Sequence, residues 1–434
     1  MRTGVRIVVI GGGSSYTPEL IDGFIRHAAD LPVERITLVD VPPGADKMQV
    51  VGELGRRMLA RAGLTTTLDW TLERRSALAG ADFVCFQFRV GGLPAREIDE
   101  QIALAHGAIG QETVGAGGFA KALRTVPVAV EMAEEVAEVN PGAWIINFTN
   151  PSGMVTEALL NYSPVRTIGL CNVPINLQAA IARVIDAEAD TIRLEMFGLN
   201  HLSFVRRIWC RGRDLWPAWL ADIEQHWPHL PEQPFSAKLI RAIGLIPNDY
   251  LKYYWLTQEM LDRQREAHAA GKGTRATEVM AVEASLFEKY RDPSLTEKPA
   301  ELSMRGGALY SEVAVATMVS LATDRPQEMV VNVRNGTTLA ELPPDAAVEV
   351  SCLVDGRGAR PLVQEPMPMT VRGLVQQVKT YERMTIEAAM TGNRDLALAA
   401  LINNPLVPTA TCAQAILADI LRRHRAYLPR FQSS

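Results

Sequence analysis

Short β-rich runs alternate with longer stretches of helical periodicity over roughly the first 190 residues. Residues 5–10, Val-Arg-Ile-Val-Val-Ile, form such a run, which ends in Gly11-Gly12-Gly13-Ser14-Ser15; Pro18 then opens a helical pattern that lasts to about His27. A second strand, 36–39, ends at Asp40, and residues 45–62 have helical spacing. Residues 82–88 read as a buried strand, 119–139 as a long helix, and 143–148 and 166–170 as strands with a helical stretch between them. Strands that alternate with helices in this way predict a parallel, doubly wound sheet.

The pattern changes after residue 190. Residues 191–213 are rich in β-formers with no helix between them, which predicts antiparallel strands. Long helical stretches are expected over 237–269, 277–290 and 311–323, and the end, 371–425, is mostly helical. Asn335-Gly336, between a Val-rich run and Thr-Thr-Leu, is a hairpin signal. The expected organisation is an N-terminal α/β domain over 1–190 and a second, α+β domain over 191–434.

Composition narrows the functional classes. The chain has 434 residues, 47% apolar and 21% charged, so a disordered or collagen-like chain is excluded. Its net charge is −5, which gives no electrostatic reason for a nucleic-acid or anionic-membrane partner. No apolar run reaches the 18 or more residues of a transmembrane helix. The N-terminus runs straight into a strand, so an intracellular, cytoplasmic protein is expected. Five scattered cysteines without a CxxC pattern imply reduced thiols.

Several clusters carry candidate chemistry. Gly11 and Gly13 would let the backbone approach a pyrophosphate at a helix N-terminus, and Asp40 stands where an acid bonds a ribose hydroxyl. The third glycine of the dinucleotide fingerprint would fall at residue 16, which is Tyr16, and a glycine turn also serves tight packing. The glycine-rich stretch Gly110-Gln111-Glu112-Thr113-Val114-Gly115-Ala116-Gly117-Gly118 is either a ligand loop or a helix-capping loop. Asn150, before Pro151, lies at a strand's carboxyl end and is either a ligand contact or a helix cap. Cys171-Asn172-Val173-Pro174 and Gly198-Leu199-Asn200-His201 present one thiol and one imidazole, each a candidate ligand or a structural residue. His226, His229, His268 and His424 read as surface residues, and Cys85 as inert packing. Among Tyr250, Tyr253 and Tyr254 the chemistry alone singles out no base.

Taken together these motifs, with Arg96-Glu97-Ile98-Asp99-Glu100, Thr274-Arg275-Ala276-Thr277-Glu278 and Arg305-Gly306-Gly307, resemble glycoside hydrolase family 4, the NAD- and metal-dependent glycosidases. The resemblance implies an N-terminal Rossmann-like domain and a C-terminal domain for substrate and oligomerisation. It implies that NAD⁺ oxidises the sugar at C3, that a tyrosine removes the C2 proton, that the C1 oxygen is eliminated, and that water addition and re-reduction follow. A divalent metal, usually manganese, assists at the C2 and C3 oxygens; a thiolate and an imidazole suit such a metal better than calcium.

Position by position, the resemblance implies Cys171 and His201 as metal ligands, Tyr250 as base and Glu112 as its electrostatic partner. It implies Arg96 and Asn150 as sugar contacts, Arg275 as a 6-phosphate contact, and Gly11, Gly12, Gly13, Ser14, Ser15 and Asp40 as the NAD site. Asn172, where α-specific members tend to carry Asp, implies a 6-phospho-β-glucosidase acting on a phosphorylated disaccharide or glucoside. An α-glycosidase, a glucuronidase and a net NAD-dependent sugar-phosphate dehydrogenase are the alternatives. A homodimer or homotetramer is also expected.

Overall fold

The computed structural model describes residues 4–230, 234–305 and 309–432, without the side chains of Met304 and Arg305, so Gly306 and Gly307 lie outside the described residues. Six parallel strands form the first half: β1 (Val5–Ile10), β2 (Val33–Val39), β3 (Thr67–Thr71), β4 (Phe83–Phe86), β5 (Trp144–Asn147) and β6 (Arg166–Gly169). Their spatial order is 3-2-1-4-5-6, that of a dinucleotide-binding sheet. The central strands are apolar on both faces because helices cover both; every residue of β4, Phe-Val-Cys-Phe, is buried. Cys85 is in that strand, fully buried, and burial pushes its thiol up, as expected of inert packing.

Residues 192–214 form an antiparallel unit of β7 (Ile192–Leu199), β8 (Leu202–Cys210) and β9 (Arg213–Asp214). The expected helix over 237–269 is interrupted. It divides into Ala237–Ile243, a short strand β10 (Ile246–Pro247) paired with β8, single turns at 249–255, and Thr257–Ala269. Pro247 supplies no N–H to a helix, and the Asn248 side chain caps the next turn by accepting from the Tyr250 N–H at 3.0 Å.

The first sheet continues through the second half of the chain. β11 (Gln327–Arg334), β12 (Ala347–Asp355) and β13 (Gly358–Pro361) add antiparallel strands beyond β6, giving nine in all. β11 and β12 pair as expected, but Asn335-Gly336 is not a two-residue turn. It opens a longer connection, 335–346, in which the buried Asn335 amide donates to the carbonyls of Leu339, Leu342 and Pro343. The tight turn lies instead at Asn200-His201, between Leu199 and Leu202.

His424 is a second correction. It is fully buried, with Nε2 2.7 Å from Asp99 Oδ1, and Asp99 takes a bidentate bond from the buried Arg124 at 2.7 Å to each oxygen. The polar sequence around it belongs to the opposite face of the helix Ala410–Arg423 and says nothing of the residue just past its end.

Candidate active site

Strand ends deliver the candidate residues to one edge. Gly11 follows β1, Asp40 follows β2, Gln87 follows β4, Asn150 lies beyond β5 and Cys171 beyond β6, so all stand at the carboxyl edge of the parallel sheet. That edge, where β1 and β4 diverge in connection, is where ligands of such sheets bind.

Gly11 has φ +86°, and a Cβ there would meet the Gln87 carbonyl oxygen and Phe88 Cα at 2.8 Å. The turn therefore needs glycine for its own packing. Asp40 accepts from the Gly13 and Val41 N–H groups at 2.8 Å, tying the loop to the end of β2. Tyr16 N–H donates to the Ser14 hydroxyl at 3.2 Å. Ser15 is buried and donates to Glu283 at 3.0 Å.

The glycine-rich loop before the helix Gly115–Val139 folds on itself. Gln111 Oε1 accepts from the Thr113 hydroxyl at 2.8 Å and the Val114 N–H at 3.2 Å, so it caps the loop, and a Cβ on Gly117 would collide with the Gln111 carbonyl. The capping role is real, and the loop also holds Glu112 inside a cluster of cations. Arg96 Nη1 lies 2.9 Å from Glu112 Oε1, Lys121 Nζ 2.9 Å from Oε2, and Arg89 donates to Oε2 as well.

Burial alone would raise Glu112, but Arg89, Lys121 and Arg96 outweigh it and hold the carboxyl well below its usual range. Lys121 moves the other way: burial, then Arg89, push it down to about 7 despite Glu112. The two shifts are compatible because one carboxylate serves three cations, and the buried amine gives up its proton more readily than a guanidinium. Arg96 is in turn held by Glu100 at 2.7 Å, and Glu100's other oxygen accepts from the Ala276 N–H at 2.8 Å. Glu100 thus ties Arg96 to the start of the helix Arg275–Tyr290. Arg275, half exposed, pairs with Glu278 at 2.6 Å.

His201 occupies the left-handed region, φ +63°, at the β7–β8 turn. Histidine tolerates that conformation better than most residues, but glycine or asparagine is the usual choice for a turn. Its ring lies on that of Tyr250, centroids 3.9 Å apart and planes 4° apart. Burial pushes its pKa down to about 3, so the imidazole is neutral and keeps a lone pair.

Cys171 is 2% exposed, and the Val173 backbone and the Asn200 side chain act to favour a thiolate. Burial, with Glu349, nevertheless pushes the thiol well above its usual value. Among the described residues no group of three or more His, Cys, Asp or Glu is placed to hold a metal. One sulfur and one neutral imidazole nitrogen next to Tyr250 fit a borderline metal that keeps open positions for substrate oxygens.

Tyr250 keeps some exposure, while burial, Asp249 and Tyr253 push its hydroxyl well above 10. Tyr253 packs edge-on against it and feels Asp249, Glu100, Arg96 and Arg275; Tyr254, half-buried, feels Glu382 instead. Asn172 precedes the helix Val173–Val184, and Asn150 Oδ1 accepts from the Ser152 N–H at 3.2 Å, one residue before the N-cap Pro151 of the helix Ser152–Tyr162. Sequence reasoning gave no role to Arg89, Lys121, Glu100, Asn200 or Glu349. Glu100 and Asn200 carried a signal, as members of motifs that carry the resemblance.

A dinucleotide-type sheet whose carboxyl edge carries a thiol, with an imidazole stacked on a tyrosine and a buried cluster of cations on Glu112, defines an α/β protein of enzyme type. Residues 6–187 match the Family 4 glycosyl hydrolase domain, and residues 196–407 the Family 4 glycosyl hydrolase C-terminal domain. The chain is 44% identical over 437 residues to a probable 6-phospho-beta-glucosidase of Bacillus subtilis, with 99% of each chain covered. It is 40% identical to a 6-phospho-beta-glucosidase of Escherichia coli, covering 99% of this chain and 98% of that one. The structure of the Thermotoga maritima 6-phospho-beta glucosidase with manganese, NAD⁺ and glucose-6-phosphate superposes with a TM-score of 0.89 at 37% identity, covering 98% and 99%. The chain belongs to family 4 of the glycosyl hydrolases.

Proposed function

We propose that this chain is an NAD- and divalent-metal-dependent glycosidase that hydrolyses 6-phospho-β-glucosides such as cellobiose 6-phosphate. The observation that carries the reading is near-complete coverage by relatives of that name, at 40–44% identity; the stack of His201 on Tyr250 and Cys171 past the end of β6 support it. When bound, NAD⁺ supplies a reversible hydride acceptor for C3, and manganese or a similar ion supplies positive charge at the C2 and C3 oxygens.

The chain's own residues do the rest. Gly11, Gly12, Gly13, Ser14, Ser15 and Asp40 line the proposed dinucleotide site, and Cys171 and His201 hold the metal. Tyr250 takes the proton from C2 and returns it after water has added at C1. Its phenolate is costly in a buried setting, and Arg96, whose charge couples to Tyr250, offsets part of that cost. Glu112 holds Arg96 in place and offsets part of the positive charge of Arg89, Arg96 and Lys121. Asn150 and Arg96 contact the sugar, Asn172 stands by the leaving group, and Arg275 meets the 6-phosphate with a planar fork.

The deciding experiment is turnover of p-nitrophenyl 6-phospho-β-glucoside against its α anomer, with manganese, NAD⁺ and reductant. β cleavage without net NADH is expected. Cleavage of the α anomer alone would overturn the specificity, and steady growth at 340 nm would favour a dehydrogenase. We also infer a cytoplasmic homodimer or homotetramer; Val363, just after β13, and Met369, at the start of the helix Met369–Thr391, are 96% and 87% exposed and support a further interface. Light scattering that finds only a species of 47.6 kDa at micromolar concentration refutes it. No helix among the described residues is long and apolar enough to cross a membrane.

A further inference from the structure

Glu349, in the middle of β12, is fully buried. Other buried carboxylates here have a cation at hand: Asp99 has Arg124, Glu100 has Arg96, Glu157 has Lys379 and Glu112 has three. Glu349 has only neutral partners among the described residues. Asn200 Nδ2 donates to Oε1 at 3.0 Å, Asn332 Nδ2 to the same oxygen at 3.2 Å, and the Ser203 hydroxyl to Oε2 at 2.8 Å. Asn248 donates to Ser203 Oγ at 3.2 Å, which turns the Ser203 hydrogen towards Glu349. Three donors and no acceptor describe a carboxylate. Burial pushes its pKa up while the three donors act the other way, so these hydrogen bonds are what hold the buried group in place.

Two of the three donors, Asn200 and Ser203, flank His201 at the β7–β8 turn, and Asn248, which donates to Ser203, also accepts from the Tyr250 N–H. Glu349 therefore holds both sides of the turn that presents His201 beside Tyr250.

We propose that Glu349 is a positioning residue for the metal pair, fixing Asn200 and Ser203 on either side of His201. The inference rests on the metal reading above. Carboxylates that orient metal ligands in this way typically change affinity 10–100-fold when removed.

The test is Mn²⁺ binding to the full-length protein with NAD⁺ bound, read from the electron paramagnetic resonance signal of free Mn²⁺. Glu349→Gln should weaken binding at least tenfold and shrink the Mn²⁺-induced rise in Tm, with the metal-free Tm and NAD⁺ affinity retained. A Glu349→Gln protein that binds Mn²⁺ within twofold of the parent overturns the inference alone. A parent that binds no Mn²⁺ overturns the metal reading and this inference with it. If Glu349→Gln does not fold, Asn200→Ser decides: it breaks the link but keeps the charge, and unchanged Mn²⁺ affinity refutes the positioning role.

Discussion

The His201 imidazole lies flat on the Tyr250 ring, with centroids 3.9 Å apart and an angle of 4° between the planes. The two residues come from different elements, the β7–β8 turn and the turn after β10, and β10 pairs with β8 to bring them together. A proposed metal ligand and a proposed base therefore share one rigid stack, so the position of the metal and that of the proton acceptor are fixed together.

The first prediction separates the tyrosines. Tyr250→Phe keeps the ring and the stack but removes the proton acceptor. The expected loss in kcat is about 10²–10⁴-fold, the usual contribution of a general base, with solvent exchange at C2 abolished and Mn²⁺ binding retained. Tyr253→Phe, on the Arg96 and Arg275 side, should change KM more than kcat. Steady-state kinetics and deuterium incorporation at C2 check both, and a Tyr250→Phe enzyme that still exchanges C2 would remove Tyr250 from the role of base.

The second concerns the thiol. Cys171→Ser replaces a soft ligand with a weakly acidic hydroxyl, so Mn²⁺ binding and turnover should fall together while fold and NAD⁺ binding survive. His201→Ala should do the same. Cys85→Ser, deep in β4 and touching neither, should leave Mn²⁺ affinity unchanged. Near-normal manganese-dependent turnover in Cys171→Ser would remove the thiol from the metal site.

Much of this was legible in the chain because local chemistry and fold agreed there. The period of strands and helices to residue 190 gives five of the six parallel strands, all but β3, and the residues just past β1, β2, β5 and β6 are those with candidate chemistry. What stayed hidden depends on contacts between distant segments. Glu349 reads as one residue of a Val-rich strand, Val348-Glu349-Val350, until its partners Asn200, Asn332 and Ser203 are seen. Lys121 and Arg124 look like the polar face of a surface helix, yet both are buried on carboxylates supplied by other segments. His424 follows a polar helix end and is buried only because Asp99 waits across the interface. Tyr250 sat inside a helical periodicity that Pro247 and Asn248 interrupt, and the interruption is what turns it towards His201.

The third prediction concerns the glycine turn. Gly11→Ala places a Cβ 2.8 Å from the Gln87 carbonyl oxygen in a left-handed conformation, so neither the space nor the backbone accepts it. A loss of more than about 1 kcal/mol is expected from urea unfolding, together with weakened NAD⁺ binding by fluorescence titration. Gly63→Ala, also with positive φ but with nothing within 4 Å of the new Cβ, should cost stability and leave NAD⁺ affinity alone. Equal effects of both variants on NAD⁺ would detach the turn from the cofactor.

The fourth turns on the Lys121 amine, 2% exposed and held at about 7 by burial and by Arg89. Its usual value is 10.5, so between about 7 and 10.5 the unfolded chain binds a proton there that the folded chain does not. Stability then rises with pH through that window, at a slope of up to about 1.4 kcal/mol per pH unit from this one group. Below about 7 both states are protonated and the destabilisation is fully present. Lys121→Met has no such proton to lose. Urea unfolding at pH 7.5 and 9.5 should therefore show the parent gaining on the order of 2 kcal/mol relative to Lys121→Met as pH rises. Glu112 keeps Arg89 and Arg96 in the variant, so its carboxylate remains paired and contributes no opposing titration in that range. Parallel stability curves for the two proteins would mean that Lys121 stays charged beside Glu112 throughout, and that the cluster carries one more positive charge at neutral pH than the buried amine implies.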